Sequence, residues 1–137
     1  MIHFDLTTTQ FRRLLDLVYI GNWVLNSQRG EDRIPDYDMV ESLVFAQCLQ
    51  ERGMEALYGV DSGVIVPSDA FAQGGIHEAI MDYEDEVFFD ILAEELSRRD
   101  MDFVPITEAN YTELTERMEE YLDEFDVNGV ENLVLDK

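Results

Sequence analysis

The sequence predicts an all-α domain, and three observations carry that prediction. Four segments repeat apolar residues at the 3.6-residue helical period. Their ends carry threonine, proline, aspartate and glycine where helix termini favour them. No alternation of strand and helix patterns supports an α/β architecture. The expectation is a single helical domain over residues 1–137, with four main helices in a bundle or in orthogonal packing. Residues 54–83 form an irregular connecting segment containing Gly and Pro, and residues 127–137 form a tail.

The first helix is expected over residues 9–26. Thr7, Thr8 and Thr9 offer N-cap oxygens. Phe11, Leu14, Leu15, Val18, Asn22 and Leu25 share a face, and Arg12, Arg13 and Asp16 mark the opposite one. Further along, Ile20 and Trp23 replace that polar face. A helix apolar nearly all round is either central or covered by a partner.

The second helix begins at Asp36 or Asp38 and ends at Arg52. Pro35 suits its start, Asp38 with Glu41 reads as a capping box, and Gly53 suits the stop. Met39, Val40, Leu43, Val44 and Cys48 are its expected inner stripe, widened by Phe45 and Leu49. In the middle segment, Gly63–Pro67 resembles a lone extended stretch without a partner, so no sheet is expected. Residues 76–81 form one or two helical turns.

The third helix spans residues 83–99. Its apolar half is Val87, Phe88, Phe89, Ile91, Leu92 and Leu96. The fourth starts at Thr107 or Asn110 and runs to Phe125. Tyr111, Leu114, Met118, Tyr121, Leu122 and Phe125 give the cleanest amphipathic stripe in the chain. Asn128-Gly129 ends it. Leu133, Val134 and Leu135 suggest that the tail docks on the body or on another subunit.

Charge narrows the functional classes. The chain holds 31 acidic and 9 basic residues, a net charge of −22. Residues 69–137 carry 21 acids against four bases, and residues 1–68 carry ten against five. Such a field repels phosphate backbones and anionic membranes, so neither direct nucleic-acid nor membrane binding is expected. Basic proteins are the partners it attracts. A carboxylate face of Glu113, Glu116, Glu120, Asp123 and Glu124 on the fourth helix is the candidate docking surface. A solvated face that maintains solubility, or an adaptation to high salt, would look the same.

Glu113-x-x-Glu116 and Glu120-x-x-Asp123 resemble the carboxylate pairs of all-α nucleotide pyrophosphatases. The resemblance covers residues 113–123 and implies magnesium held for hydrolysis. That family carries its pairs on separate facing helices, whereas here both lie on one. No catalytic residue, cofactor or metal ligand is assigned. EF-hand, P-loop, Gly-x-Gly-x-x-Gly and Gly-x-Ser-x-Gly patterns are absent, and one Cys with two His cannot build a structural zinc site.

Polar residues break the apolar stripes. Asn22 and Asn26 on the first helix suggest a tie to the Gly-rich middle, or a binding spot. Glu95 and Arg99, four apart, suggest an internal ion pair. With His77 they are candidates for one polar pocket. Ile20 and Trp23 are a candidate homodimer patch, with burial inside the monomer as the alternative. Cys48 reads as a buried small hydrophobe. Without a signal peptide or a membrane-length apolar run, the chain is expected in the cytoplasm. The expected function is a non-enzymatic interaction or regulatory module for a basic protein. The alternatives are a metal-dependent hydrolase using helix carboxylates and a nucleic-acid mimic.

Overall fold

The N-terminal threonines do cap a helix. Thr7 accepts from the Gln10 backbone N–H at 3.2 Å, and the Gln10 side chain accepts from the Thr7 N–H at 3.0 Å. This reciprocal capping box starts α1 (Thr8–Asn26). Next come α2 (Pro35–Ala46), a 3₁₀ turn at Gln47–Gln50, β1 (Tyr58–Asp61) and β2 (Val64–Pro67). A one-turn α3 (Asp69–Ala72), α4 (Gly75–Asp100) and α5 (Tyr111–Asn128) complete the order. This is a computed structural model, and it describes residues 1–136. The chain is 61% helical with a small two-stranded sheet, so it is mostly but not purely α. It divides into two compact units, Met1–Ile80 and Met81–Lys137.

The sheet corrects the expectation that Gly63–Pro67 lacks a partner. β1 and β2 pair antiparallel, from Tyr58 opposite Pro67 to Asp61 opposite Val64. Ser62 and Gly63 link them, both with positive φ (51° and 80°). That backbone is the two-residue turn whose twist matches a hairpin. β1 is hard to see in the sequence because it is four residues long and offers only two large apolar side chains, Tyr58 and Val60.

The first unit closes around Leu15, Tyr19, Phe45, Cys48, Met54, Phe71 and Ile80. Cys48 is buried, and burial pushes its thiol pKa up. α2 departs from expectation in two ways. Its N-cap, Ile34, makes no side-chain cap bond, and Asp38 is engaged elsewhere, so there is no Asp38–Glu41 capping box. The helix is also rotated. Phe45 and Cys48 are buried, whereas Met39, Val40, Leu43 and Leu49 remain more than half exposed.

In the second unit the buried residues are Ala93, Ser97, Met101, Leu114 and Phe125. α4 starts earlier than expected, absorbing the short turns before Met81. Its inner line runs through the small residues Ala93 and Ser97, and the Ser97 hydroxyl donates to the Ala93 carbonyl at 2.7 Å. Phe88 and Ile91, placed inward by the periodicity, are about half exposed. On α5 the expected stripe holds from Leu114 to Phe125, both buried, with Met118, Tyr121 and Leu122 half-buried, whereas Tyr111 at its start is 62% exposed. Gly129 (φ 55°) ends it. In the tail, Asn132 is tied to Glu124 of α5 at 2.7 Å, whereas Val134 and Leu135 are more than 80% exposed. Lys137 lies outside the described residues. Among the described residues, no helix is long and apolar enough to cross a membrane.

Candidate functional site

A cleft in the second unit is lined by Glu86, Phe89 and Asp90 of α4 with Leu122, Asp123, Phe125 and Asp126 of α5. Its volume is about 750 Å³. Helical spacing explains the lining. Glu86 and Asp90 are four apart, so they stack on one side of α4, with Phe89 beside them. Asp123 and Asp126 are three apart on one side of α5, and Leu122 and Phe125 complete the lining. The rings of Phe89 and Phe125 lie 5.5 Å apart, and Tyr121 stacks on Phe125 at 6.0 Å. The lining therefore combines two phenylalanines, a leucine and four carboxylates, with no basic side chain.

Chemically, such a cleft suits a long cationic side chain. The alkyl stem of lysine or arginine covers apolar surface while its charged head stays among acids. An aromatic face adds cation–π attraction. The carboxylates line the cleft rather than converge on a point. Among the described residues, no group of three or more His, Cys, Asp or Glu is gathered to hold a metal ion.

Of the carboxylates singled out in the sequence, Asp123 lies in this cleft. Glu113 is tied to Arg117 at 3.1 Å, and Glu124 accepts from Asn128 and Asn132. Glu116 and Glu120 are exposed on α5. Periodicity missed Glu86, Asp90 and Asp126 as a set, because the set depends on how α4 and α5 are rotated. Their one visible signal is acids flanking Phe89 and Phe125 on both helices.

Next to the cleft residues, the end of α4 is fixed by a polar triad. Tyr121 donates to Asp100, and Arg99 donates to Asp100 at 2.9 Å and to the Tyr121 oxygen at 3.2 Å. The Tyr121 bond, then Arg99, hold the Asp100 carboxyl below its ordinary range; Asp100 in turn raises the Tyr121 phenol. This corrects the expected Glu95–Arg99 pair. Glu95 is exposed beside Phe88, Ile91 and Leu92, and Arg98 takes the i,i+4 acid, Glu94, at 2.9 Å.

The other proposed pocket residues separate as well. Asn26 donates to the Asn22 side-chain oxygen (2.7 Å) and to the Ile34 carbonyl (3.0 Å). It accepts from the Ile34 N–H at 2.8 Å. Asn22 donates to Asp38 at 3.0 Å, and Arg33 grips Asp38 through two bonds of 2.6 and 2.7 Å. The Arg33 bonds are the main reason the Asp38 carboxyl titrates below its usual range. The tie therefore runs to the α1–α2 loop and the start of α2, not to the Gly-rich middle. No buried side-chain polar atom among the described residues lacks a partner.

His77 belongs to a different cluster. Its Nδ1 is hydrogen-bonded to the Tyr19 hydroxyl at 3.0 Å, and its ring meets Trp23 edge-on at 4.8 Å. Ile20 and Trp23 are half-buried against the core of the first unit. The free apolar surface of α1 lies elsewhere, at Leu17 and Val24. A groove of about 670 Å³ opens between α1, α2 and the N-terminal segment, with Leu14, Val18, Val40 and Leu43 in its walls.

Comparison with family models, with curated proteins and with solved structures returns no match.

Proposed function

We propose that this protein is a non-enzymatic interaction module that binds a basic protein, receiving a lysine or arginine side chain in the α4–α5 cleft. The observation that carries the reading is the cleft itself, lined by four carboxylates from two helices together with Phe89, Leu122 and Phe125. The surrounding charge supports it. Met81–Lys137 holds 19 acids and four bases, so the field draws a cation toward the cleft from a distance. Exposed Glu116, Glu119 and Glu120 extend that field along α5. A hydrolase would need carboxylates from more than one helix gathered on an ion. The two pairs that resemble magnesium ligands both sit on α5, and one member, Glu113, is neutralised by Arg117.

A charge-matched comparison tests the reading. The full chain is titrated with a short arginine-rich peptide at low salt and followed by fluorescence anisotropy. Neutralising the cleft with Asp90→Asn and Asp123→Asn is expected to weaken binding about tenfold, or about 1.4 kcal/mol. Neutralising Glu116 and Glu119 with glutamine removes the same charge and is expected to cost less than about threefold. Equal losses would reduce the cleft to bulk charge and overturn the assignment. Proteins captured from a lysate at low salt should be lost by the cleft variant. Competition of that capture by duplex DNA would instead favour mimicry of a nucleic acid.

A further inference from the structure

We infer that the apolar groove between α1, α2 and the N-terminal segment is closed by a second copy of the same chain. The inference stands apart from the cleft, because the groove lies wholly within residues 2–54. It starts from the rotation of α2. That helix is apolar on two sides, and only one of them packs inward. Phe45 and Cys48 are buried, while Met39, Val40 and Leu43 are 59, 51 and 60% exposed. Ile2, Phe4 and Leu6 add exposed apolar surface from the segment preceding α1.

Charge argues for the occupant. In a chain with 31 acids, sixteen residues line the groove and Glu51 is the single acid among them. A basic partner would find little there to hold it. A second copy meets little like charge at this face, although the chains repel elsewhere. Area argues the same way. The exposed apolar residues that line the groove, Ile2, Phe4, Leu6, Val40 and Leu43, together present surface on the order of 600 Å², approaching what each partner contributes to a stable interface. A monomer rarely leaves a contiguous apolar patch of that size in water. A two-fold contact uses the same patch on both copies and closes at two. The candidate dimer patch thus moves from Ile20 and Trp23 to the Val40 and Leu43 side of the hairpin of helices.

Salt separates this inference from the cleft reading. Screening weakens attraction to a basic partner but relieves repulsion between two chains of −22. Light scattering on the full chain should therefore give a two-copy mass that grows more prevalent as salt rises. The double substitution Val40→Glu and Leu43→Glu should leave one copy at every salt concentration. Both positions are exposed, so helical circular dichroism and Trp23 fluorescence should be unchanged, and Val40→Ala with Leu43→Ala should weaken pairing in between. The inference is overturned by a one-copy wild type at every concentration and salt. It is overturned equally by a dimer that survives the glutamates, or by masses climbing beyond two. The Asp90→Asn and Asp123→Asn variant should pair like wild type, so either assignment can fail alone.

Discussion

The first unit buries large side chains: Leu15, Tyr19, Phe45 and Phe71 sit at 8% exposure or less, with Phe45 meeting Phe71 at 5.0 Å. The second unit places Ala93 and Ser97 where those would stand, and only Met101, Leu114 and Phe125 are large and buried. It also carries −15 of the −22 charges. One region is organised around its interior and the other around its surface. A well-packed part can keep an apolar face open without collapsing onto it. A sparsely packed acidic part leaves its carboxylates free to meet a cation. The difference predicts that substitutions inside the first unit cost stability, whereas those in the second change charge behaviour more than folding.

The largest effect should come from Phe45→Ala. A fully buried ring has many neighbours to lose, so the expected cost is about 4 kcal/mol. Urea unfolding followed by Trp23 fluorescence reads it directly. Phe125→Ala should cost less, about 2 kcal/mol, because its surroundings are looser. Equal costs would break the contrast between the two interiors.

Next is Asn26→Ala. It removes three hydrogen bonds and strands the Ile34 N–H and carbonyl. Unsatisfied buried groups make this a loss of about 2–3 kcal/mol. Amide exchange at Ile34 should quicken in step. The parallel change in the second unit, Asn128→Ala, breaks one bond to Glu124 at a half-exposed position. It should stay within about 0.5 kcal/mol. An Asn26 variant as tolerant as that would mean the polar tie is decoration.

How far these features can be read from sequence follows the same division. On α5 the acids and the apolar stripe never overlap, so its face is legible from spacing alone. The α1 cap is legible because Thr7 and Gln10 act within one turn. Asn22 and Asn26 stand out because an amide in an apolar stripe needs partners, but the partners lie across a loop at Ile34 and Asp38. α2 is misread because Met39, Val40 and Leu43 compete with Phe45 and Cys48 for the inside. Periodicity cannot rank two apolar faces, and here the inner one also carries Asp38 and Glu41. The cleft escapes for a related reason. Glu86, Asp90, Asp123 and Asp126 look like ordinary solvated acids until two helices are turned toward each other.

Titration sharpens the contrast at the surface of the second unit. The Asp100 carboxyl is held below its ordinary value, so its contribution is present above about pH 3.9 and is lost as pH falls through the lowered value. The Tyr121 phenol is raised, so its contribution is present below about pH 10 and is lost as pH rises through the raised value. Tyr121→Phe removes the phenol and the larger of the causes that hold Asp100 down, leaving Arg99. Because the triad is largely solvent-accessible, the loss at neutral pH should be below about 1 kcal/mol. The clearer readout is carboxylate NMR, in which Asp100 should titrate at a higher pH in the variant. An unmoved Asp100 would assign its shift to Arg99 alone.

The smallest effect belongs to the first unit and carries the opposite sign. Glu41 is half-buried on the inner side of α2, and burial, aided by nearby Asp38, raises its pKa. The folded chain therefore holds that proton more readily than the unfolded chain does. At neutral pH the charged carboxylate opposes folding. That cost shrinks as pH falls through the raised value and is gone below about pH 4.3, where both states are protonated. Glu41→Gln keeps the shape and removes the charge. It should stabilise the first unit by about 0.5 kcal/mol at neutral pH and by nothing at acid pH. Urea midpoints at the two pH values measure it. A destabilising Glu41→Gln would mean that the carboxylate is working as an acceptor in the Asn22–Asp38–Arg33 network, and that this polar network reaches further into the packed interior than the bonds to Asp38 alone.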